Sequence, residues 1–479
     1  MRPSTAESWH NITSILSLAA HLFLRHHVES DPQNIKLAHP NLLETTVSRY
    51  SQRFQTLLLL LTTMLSVTIA RGDDWPQWRG PNHNDTVSES SRWNGNTWPP
   101  GNAIWSTNVN SGGSGPIVIG RHLYTMGWKE NHDHVYCLDA ISGREIWSQS
   151  YPCPQYGRHS EGDKGLYSGP SSCPSFDTKT GFLYTLSTDG DLNCWDTNDS
   201  GKRVWSLNFY DVYQVPQRAK VGRRLLRDYG YTTAPLILGE TIIVEVGDDE
   251  GNLMAFSKRT GKRRWTSESK DPAGHTGGIV PMVVDGLPCV AVLTIRNLLV
   301  VRLDENQQGE TVAEFPWVTD FANNVATPTV LNNSVIMTSE YNQYSIVRID
   351  ITRSGAKQVW KQPYASGLCP PVIYNGHVYW CWRGVYCLNF ATGKPIWRGG
   401  RGYGDAASCI ATSDGRLIIW GRRGDLALVE TADHSPKKYS ELARKKGILK
   451  NDVWPHIVLS GGRLYCKDRD GNMVCFSLF

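Results

Sequence analysis

A short pattern of apolar and polar positions returns along most of the chain. It first reads VYCLDAISGREIW at 135–147, and it returns at 193–205, 253–265 and 385–397, with looser copies at 300–317, 346–360 and 426–440. In most copies an apolar run ends near Asp or Asn, a Ser-Gly or Thr-Gly turn follows, and a second run ends in Trp. Glycine supplies the positive φ that a tight turn needs, so each copy predicts a β-hairpin.

A second element precedes each hairpin. It is an apolar run, usually opened by Pro, and its copies begin at positions 116, 174, 235, 281, 328, 371, 409 and 456. A turn and another apolar run follow most of them, so each unit holds two hairpins and four strands. Pro opens the first strand, where a missing backbone N–H is tolerated.

Four-stranded units that repeat about every 40–50 residues are typical of a β-propeller. The last copy stops after three strands at Phe479, whereas residues 103–109 form an unclaimed strand that carries Trp105. We therefore predict that this N-terminal strand completes the last blade and closes the ring. The predicted fold is an all-β, eight-bladed propeller of four-stranded blades over residues 103–479, with residues 73–102 as a lead-in segment.

The front of the chain holds one long apolar run, residues 56–70. A membrane-spanning helix needs about 20 apolar residues, whereas the core of a signal peptide needs roughly 7–15. The interpretation is that residues 1–72 are an upstream extension plus a signal peptide, which directs the chain to the periplasm or the cell envelope. The mature chain is then expected to have no transmembrane span; anchoring by an uncleaved signal is the alternative.

Composition narrows the function. The chain has 44 Gly, 25 Pro and 18 Trp, which suits many short strands and tight turns. Its formal net charge is +4, and from residue 72 onward 43 Lys and Arg oppose 41 Asp and Glu. A nucleic-acid-binding surface needs a basic excess, so nucleic acid is excluded as a partner.

The repeat Leu-Asp-x-x-Ser/Thr-Gly-Lys/Arg-x-x-Trp resembles that of the pyrroloquinoline-quinone (PQQ)-type propellers. The segment DWPQWRGPN at 74–82 is similar to the start of exported bacterial PQQ-like repeat proteins. The resemblance implies that one Trp per blade docks onto the neighbouring blade. The residues that match this position are Trp105, Trp147, Trp205, Trp265, Trp360 and Trp397.

The resemblance implies two functional classes. One is the quinoprotein dehydrogenases, which hold PQQ and Ca²⁺ and oxidise alcohols or sugars. The other is non-catalytic scaffolds, such as the propeller component of the outer-membrane β-barrel assembly machinery. The chain departs from both, because it has no adjacent Cys-Cys pair and no Cys-x-x-Cys-His motif, and no lipidation Cys follows the apolar run.

Two connections between blades, residues 148–173 and 206–234, are longer than the others. Long loops are usually functional or disordered, and enrichment in Tyr and Arg is typical of a recognition surface. The hypothesis is a rim that binds a protein or an anionic glycan; the alternative is a pair of decorated loops with no ligand. The candidate binding residues are Arg158, His159, Tyr167, Arg218, Arg223, Arg224, Arg227 and Tyr231.

We therefore predict an exported, non-catalytic binding or scaffold module, with no cofactor. The alternative is a dehydrogenase that depends on PQQ and Ca²⁺, whose polar residues would meet at the channel mouth. No metal site is predicted, because the nearby His132 and His134 lack a third convergent ligand. Cys153 and Cys173 are the best candidates for a disulfide. The channel-mouth candidates, which come immediately before predicted inner strands, are Asn323, Asn324, Asp405 and Asp452.

Overall fold

The computed structural model describes residues 73–155, 169–213, 215, 230–273, 275–319 and 323–479. Eight antiparallel four-stranded sheets follow one another as the blades of a propeller, in which the first strand of each blade is innermost. The predicted all-β, eight-bladed fold is confirmed. The described residues add one short helix, Phe209–Tyr213, and two 3₁₀ turns, Thr197–Asp199 and Asp248–Glu250.

The strands of the first half are β1 (Trp105–Asn108); in blade 1 β2 (Ile117–Ile119), β3 (His122–Lys129), β4 (His132–Asp139) and β5 (Glu145–Pro152); in blade 2 β6 (Ser175–Asp177), β7 (Phe182–Leu186), β8 (Asp191–Asp196) and β9 (Lys202–Asn208); in blade 3 β10 (Leu236–Leu238), β11 (Thr241–Glu245), β12 (Leu253–Ser257) and β13 (Arg263–Thr266); then β14 (His275–Thr276); and in blade 4 β15 (Val280–Val284), β16 (Leu287–Leu293), β17 (Asn297–Arg302) and β18 (Thr311–Pro316).

The strands of the second half are β19 (Asn323–Asn324); in blade 5 β20 (Thr329–Leu331), β21 (Ser334–Ser339), β22 (Ser345–Thr352) and β23 (Gly355–Gln362); in blade 6 β24 (Val372–Tyr374), β25 (His377–Cys381), β26 (Val385–Asn389) and β27 (Pro395–Gly399); in blade 7 β28 (Ala407–Thr412), β29 (Arg416–Gly421), β30 (Asp425–Glu430) and β31 (Glu441–Lys445); and in blade 8 β32 (Val458–Ser460), β33 (Arg463–Lys467) and β34 (Asn472–Ser477).

The first strand of the propeller closes the last blade, as predicted. β1 pairs antiparallel with β34 and becomes the outer strand of blade 8, with Trp105 opposite Cys475. Lys467 joins blades 8 and 1 from the inside, because its fully buried Nζ donates to the carbonyls of Ser114 (2.9 Å) and Met126 (2.8 Å). The ring is therefore closed by the β1–β34 pair at the outside of blade 8 and by the buried amine of Lys467 between blades 8 and 1.

Tryptophan side chains connect neighbouring blades. The indole N–H of Trp105 donates to the carbonyl of Ala140 in blade 1, at 3.1 Å. The ring lies so close to the turn at Gly143 that a Cβ there would come within 2.7 Å of it, which is why this turn needs glycine. The same indole bond is made by Trp205 to Lys258, by Trp360 to Phe390 and by Trp397 to Ser435.

These tryptophans share one register. Trp147 lies opposite Cys137, just before a bulge in the pairing of the third and fourth strands, and Trp205, Trp265, Trp360 and Trp397 occupy the same place. In blades 4 and 7 that place is held by Ala313 and Ala443. Trp317 and Tyr439 therefore lie outside the docking register.

All eleven cysteines are buried thiols in the structure. The candidate pair Cys153 and Cys173 is not bridged: the Cys173 thiol accepts from the backbone N–H of Gly115, whereas Cys153 interacts with Asp133. Cys137, Cys194, Cys387 and Cys475 lie opposite four of the docking tryptophans, so they act as small apolar side chains of the core.

The two ends of the propeller are formed by different segments. Connections from the outer strand of one blade to the inner strand of the next lie at one end, which we name the connection face. Turns within the inner hairpins, such as those at Gly120 and Gly461, lie at the other end, which we name the hairpin face. No helix in the described part of the chain is both long and apolar enough to cross a membrane.

Candidate functional site

The lead-in segment covers the channel at the hairpin face. Trp75 exchanges two backbone hydrogen bonds with Val118 of blade 1, at 2.8 and 2.9 Å. Further along, the Glu89 carboxylate accepts from the backbone N–H groups of Gly461 (2.8 Å) and Gly462 (2.6 Å) in the inner hairpin of blade 8. The segment therefore joins the first and last blades across one end of the ring.

Arg79 carries this segment into the channel. Its side chain is fully buried, and its Nε lies 2.5 Å from Oδ2 of the equally buried Asp85. The two remaining guanidinium nitrogens donate to the carbonyls of Pro328 (3.0 Å) and Pro371 (2.8 Å), which directly precede the inner strands of blades 5 and 6. His456 of blade 8 approaches Asp85 at 3.4 Å, and burial lowers the pKa of this imidazole. The channel is thus filled by a buried ionic network.

Beside Arg79, the indole of Trp78 forms the floor of an open cavity. Its N–H donates to Oγ1 of Thr327, at 2.9 Å. The cavity, which we name the cup, has a volume of about 290 Å³ and lies toward the connection face. Each of the eight blades or its preceding connection contributes to it. The lining is Trp78, Gly113, Ser171, Cys173, Thr232, Ala234, Thr276, Gly277, Asn323, Val325, Glu340, Tyr341, Leu368, Asp405, Ala406 and Trp454.

A polar network supports one wall of the cup. β14 and β19 pair in parallel, which brings Thr276 beside Asn324. Behind this pair the buried Glu245 accepts hydrogen bonds from the hydroxyls of Thr233 (2.9 Å) and Thr276 and from the amide of Asn252 (3.1 Å). These bonds fix the hydroxyl side chains of the wall, so the cup has a defined shape.

The adjoining wall is acidic. Among the described residues of the lining the charged ones are Glu340 and Asp405, and both are carboxylates. Arg383 approaches from outside the cup: its Nε lies 2.5 Å from Oδ1 of Asp405, and its Nη2 lies 4.0 Å from Oε2 of Glu340. Burial, together with the charge of Asp405, raises the pKa of Glu340. One arginine is therefore shared between two carboxylates that face the same space.

Two of the four channel-mouth candidates meet in the cup, namely Asn323 and Asp405. Asn324 has a different role, because its buried amide donates to the carbonyls of Thr294 (2.6 Å) and Trp317 (3.0 Å) and thereby holds the chain in place. Asp452 is half exposed and lies 3.6 Å from the guanidinium of Arg469.

Most of the candidate rim residues lie outside the described residues: Arg158, His159, Tyr167, Arg218, Arg223, Arg224 and Arg227. Tyr231 is described, and it is buried rather than exposed at the rim. Its ring makes an edge contact with Phe209, and its hydroxyl donates to the carbonyl of Val246 at 2.9 Å. The structure therefore places Tyr231 in the core between blades 2 and 3.

Sequence reasoning missed Glu340, Tyr341 and Trp454. The first two lie in the turn between β21 and β22, whereas the candidates were sought just before inner strands. In a propeller the turn between the second and third strands lies at the same end as the connections. The segment SEYN at 339–342 was therefore a usable signal, because it ends a predicted second strand.

Fold and cup together define an eight-bladed, PQQ-type propeller whose channel is closed at one end by the chain itself. The sequence profile of the family described as outer membrane protein assembly factor BamB matches residues 132–399, more than half of the chain. The chain belongs to this family.

Relatives of two kinds are similar to this chain. Outer membrane protein assembly factor BamB of Bordetella pertussis is 25% identical over 321 residues, which cover 63% of this chain and 69% of that protein. Quinohemoprotein alcohol dehydrogenase ADH-IIG of Pseudomonas putida is 28% identical over 158 residues, which cover 31% of this chain and 18% of the enzyme. The chain thus matches only about a fifth of the length of the curated dehydrogenases.

A solved structure shows the same fold. Quinohemoprotein alcohol dehydrogenase from Comamonas testosteroni superposes with a TM-score of 0.59 at 13% identity, covering 87% of this chain and 82% of the enzyme. The likeness at this identity concerns the fold alone.

The described cup does not fit PQQ. This quinone is a flat polyanion, which needs cationic partners, whereas the charged groups that line the cup are the carboxylates of Glu340 and Asp405. Arg383 is already paired with Asp405. Among the described residues no three His, Cys, Asp or Glu side chains come together to hold a metal ion.

Proposed function

We propose that this chain is an exported, non-catalytic scaffold that binds a protein at its connection face. The observation that carries the proposal is the closure of the channel by Arg79 and Trp78, beside which the cup lies open toward that face. A cup to which every blade contributes is held rigidly by the whole ring, and rigid presentation lowers the entropic cost of docking.

The family supports a protein partner rather than an anionic glycan. The Bordetella pertussis relative, whose match covers 63% of this chain, is by its name an outer membrane protein assembly factor. An anionic glycan is disfavoured in the cup, because both charged lining residues are acidic. That the basic residues at 158–159 and 218–227 bind an anionic glycan stays a separate prediction.

The test is site-specific photocrosslinking in the intact cell envelope. The crosslinking residue would replace Tyr344 or Val318 at the connection face, and Ile141 or Leu331 at the hairpin face as matched controls. All four side chains are exposed, by 64%, 43%, 42% and 39% in that order. We expect one reproducible protein adduct from the first two positions only. Equal adducts from both faces would contradict the proposal.

The dehydrogenase alternative has its own test. PQQ and Ca²⁺ at saturating concentration should leave the absorbance of the quinone and the melting temperature of the protein unchanged. A ligand at 100 times its Kd stabilises a protein by about 2.7 kcal/mol, so real binding would raise the melting temperature measurably. Such a rise, together with dye reduction by an alcohol, would replace the scaffold by the enzyme.

A further inference from the structure

The lining of the cup combines carboxylates with aromatic rings. Trp78 forms the floor, Tyr341 and Trp454 lie in the wall, and the remaining lining is largely made of small side chains and glycines. The guanidinium of Arg469 already covers the ring of Trp454 at 4.3 Å, so Trp78 and Tyr341 are the rings considered for a ligand. An aromatic face attracts an organic cation through the quadrupole of the ring, and the attraction grows when water is excluded. Glu340 and Asp405 add two carboxylates to the same space.

The charge of these carboxylates is only partly compensated. Arg383 is 59% exposed and contacts Asp405 closely, but it reaches Glu340 only at 4.0 Å. The Glu340 side chain is 18% exposed, so little water is available to solvate its charge. Burial and the neighbouring Asp405 raise the pKa of Glu340 by more than Arg383 and Trp382 lower it.

Size limits the ligand. Pockets for drug-sized molecules are about 300–1,000 Å³, and the cup of about 290 Å³ lies at the small end of that range. Calcium prefers six to eight oxygen ligands, whereas the described lining of the cup offers two carboxylates and, from the other wall, the amide of Asn323. Aromatic rings beside so few oxygens favour an organic cation over a metal ion.

We infer that the cup binds one basic side chain, a lysine or an arginine, of a partner protein. The inference rests on the proposed function, and it specifies the chemistry of the docking surface. The ammonium or guanidinium group would lie between Glu340 and Asp405, and its methylene chain would cover the indole of Trp78. A partner would therefore be recognised by a protruding basic residue.

The direct test uses small probes whose ends are neutral. N-acetyl-lysine amide and N-acetyl-arginine amide would be titrated while the tryptophan fluorescence is followed, with N-acetyl-norleucine amide and N-acetyl-glutamate amide as controls. We expect at least one of the two basic probes to bind at least about tenfold more tightly than either control, because only these probes carry a cation. Added salt should weaken this binding.

Variants assign the binding to the cup. Glu340→Gln and Asp405→Asn should each weaken the better-binding basic probe by about tenfold, whereas Glu305→Gln should leave binding unchanged. Glu305 is exposed in the turn between β17 and β18, at the hairpin face. Leu368→Lys should abolish binding by placing an ammonium group inside the cup, and Leu368→Met is its control. Circular dichroism and the melting temperature would verify that each variant is folded.

The affinity should also depend on pH. A cation prefers the ionised form of Glu340, whose pKa is raised, so binding should strengthen as pH rises from about 4.5 to 7. The same titration of Glu340→Gln should lose most of this dependence. A profile that both proteins share would assign the pH effect to another group and contradict the role of Glu340.

Three results would overturn the inference: equal binding of the norleucine probe, binding that neither carboxylate variant weakens, or Ca²⁺ binding that displaces the basic probes. These failures are distinguishable from failure of the proposed function. If Leu368→Lys keeps the photocrosslinked adduct at Tyr344, a protein still docks at the connection face, and only the basic side chain in the cup is refuted.

Discussion

Replacing Arg79 with Ala should loosen the lead-in segment and destabilise the whole protein. The Arg79–Asp85 pair is fully buried, so the variant would leave the Asp85 carboxylate in the interior without its main partner. Removing one member of a buried ion pair costs about 3–5 kcal/mol. The carbonyl of Pro328 would also lose its guanidinium donor, at about 1–3 kcal/mol if it stays buried and unpaired, whereas the carbonyl of Pro371 keeps the hydroxyl of Thr329 as a donor.

These terms do not simply add, because the lead-in segment can detach. Once it leaves the channel, Asp85 and the two carbonyls regain water, and the loss stops at the free energy that docks the segment. We therefore expect a loss of about 3–5 kcal/mol in the free energy of unfolding. Arg79→Lys keeps the charge but cannot serve three acceptors in one plane, so its loss should be intermediate.

The assay combines urea unfolding with amide hydrogen exchange. The urea midpoint should fall, and the amides of Trp75 and Val87, which bond to Val118 and Ala411, should lose protection before the blades do. Arg92→Ala is the matched control, because Arg92 is an exposed arginine of the same segment. The double variant Arg79→Met, Asp85→Leu should regain much of the loss by removing both charges.

One result would refute this reasoning. If Arg79→Ala and Arg92→Ala unfold within about 1 kcal/mol of each other and exchange alike, the lead-in segment does not hold the channel closed, and the cup has a different floor.

Three further predictions concern the ring. Deleting residues 103–109 should expose the edge of β34 and cause aggregation, which size-exclusion chromatography would show; a soluble monomer of unchanged melting temperature would contradict closure by β1. Trp397→Ala should cost about 3–5 kcal/mol in urea unfolding, and Trp265→Ala less, because Trp265 is only half buried. Burial lowers the pKa of Lys467 to about 7. Between this pH and about 10 the amine is therefore protonated in the unfolded chain and neutral in the folded one. The contribution of Lys467 to the free energy of unfolding should then rise by up to about 1.4 kcal/mol per pH unit. The urea midpoints of the wild type and Lys467→Met would be compared at pH 7, 8 and 9, and the wild type should gain stability relative to the variant as pH rises. A difference between the two midpoints that stays constant with pH would contradict the buried neutral amine.

Most of the fold could be predicted from the sequence because its signals are local. Most of the repeated hairpins carry their own turn glycine, and the strand that closes the ring carries Trp105. The exceptions have a local cause as well: Ala313 and Ala443 replace tryptophan at the docking register of blades 4 and 7. Trp317 and Tyr439 lie nearby but outside that register.

The site was harder to predict because its contacts are distant in sequence. Arg79 bonds to carbonyls 249 and 292 residues away, and no local pattern indicates such partners. Asn323 and Asp405 were found by a rule about residues before inner strands, and the same rule also selected Asn324, whose amide is turned into the structure. Whether such a side chain lines the cup or is turned into the structure depends on its surroundings in the assembled ring, which the local sequence does not show.

The closure of the channel also explains why the described charged residues that line the cup are acidic. An eight-bladed ring leaves an opening along its axis, and its inner strands present backbone carbonyls such as those of Pro328 and Pro371 that need donors. Arg79 donates to both, the hydroxyl of Thr329 also donates to Pro371, and Asp85 balances the charge of the guanidinium. Because that cation is used inside the network, the charged groups in the described lining above Trp78 are carboxylates, and the selectivity inferred for the cup is for a cation supplied by another molecule.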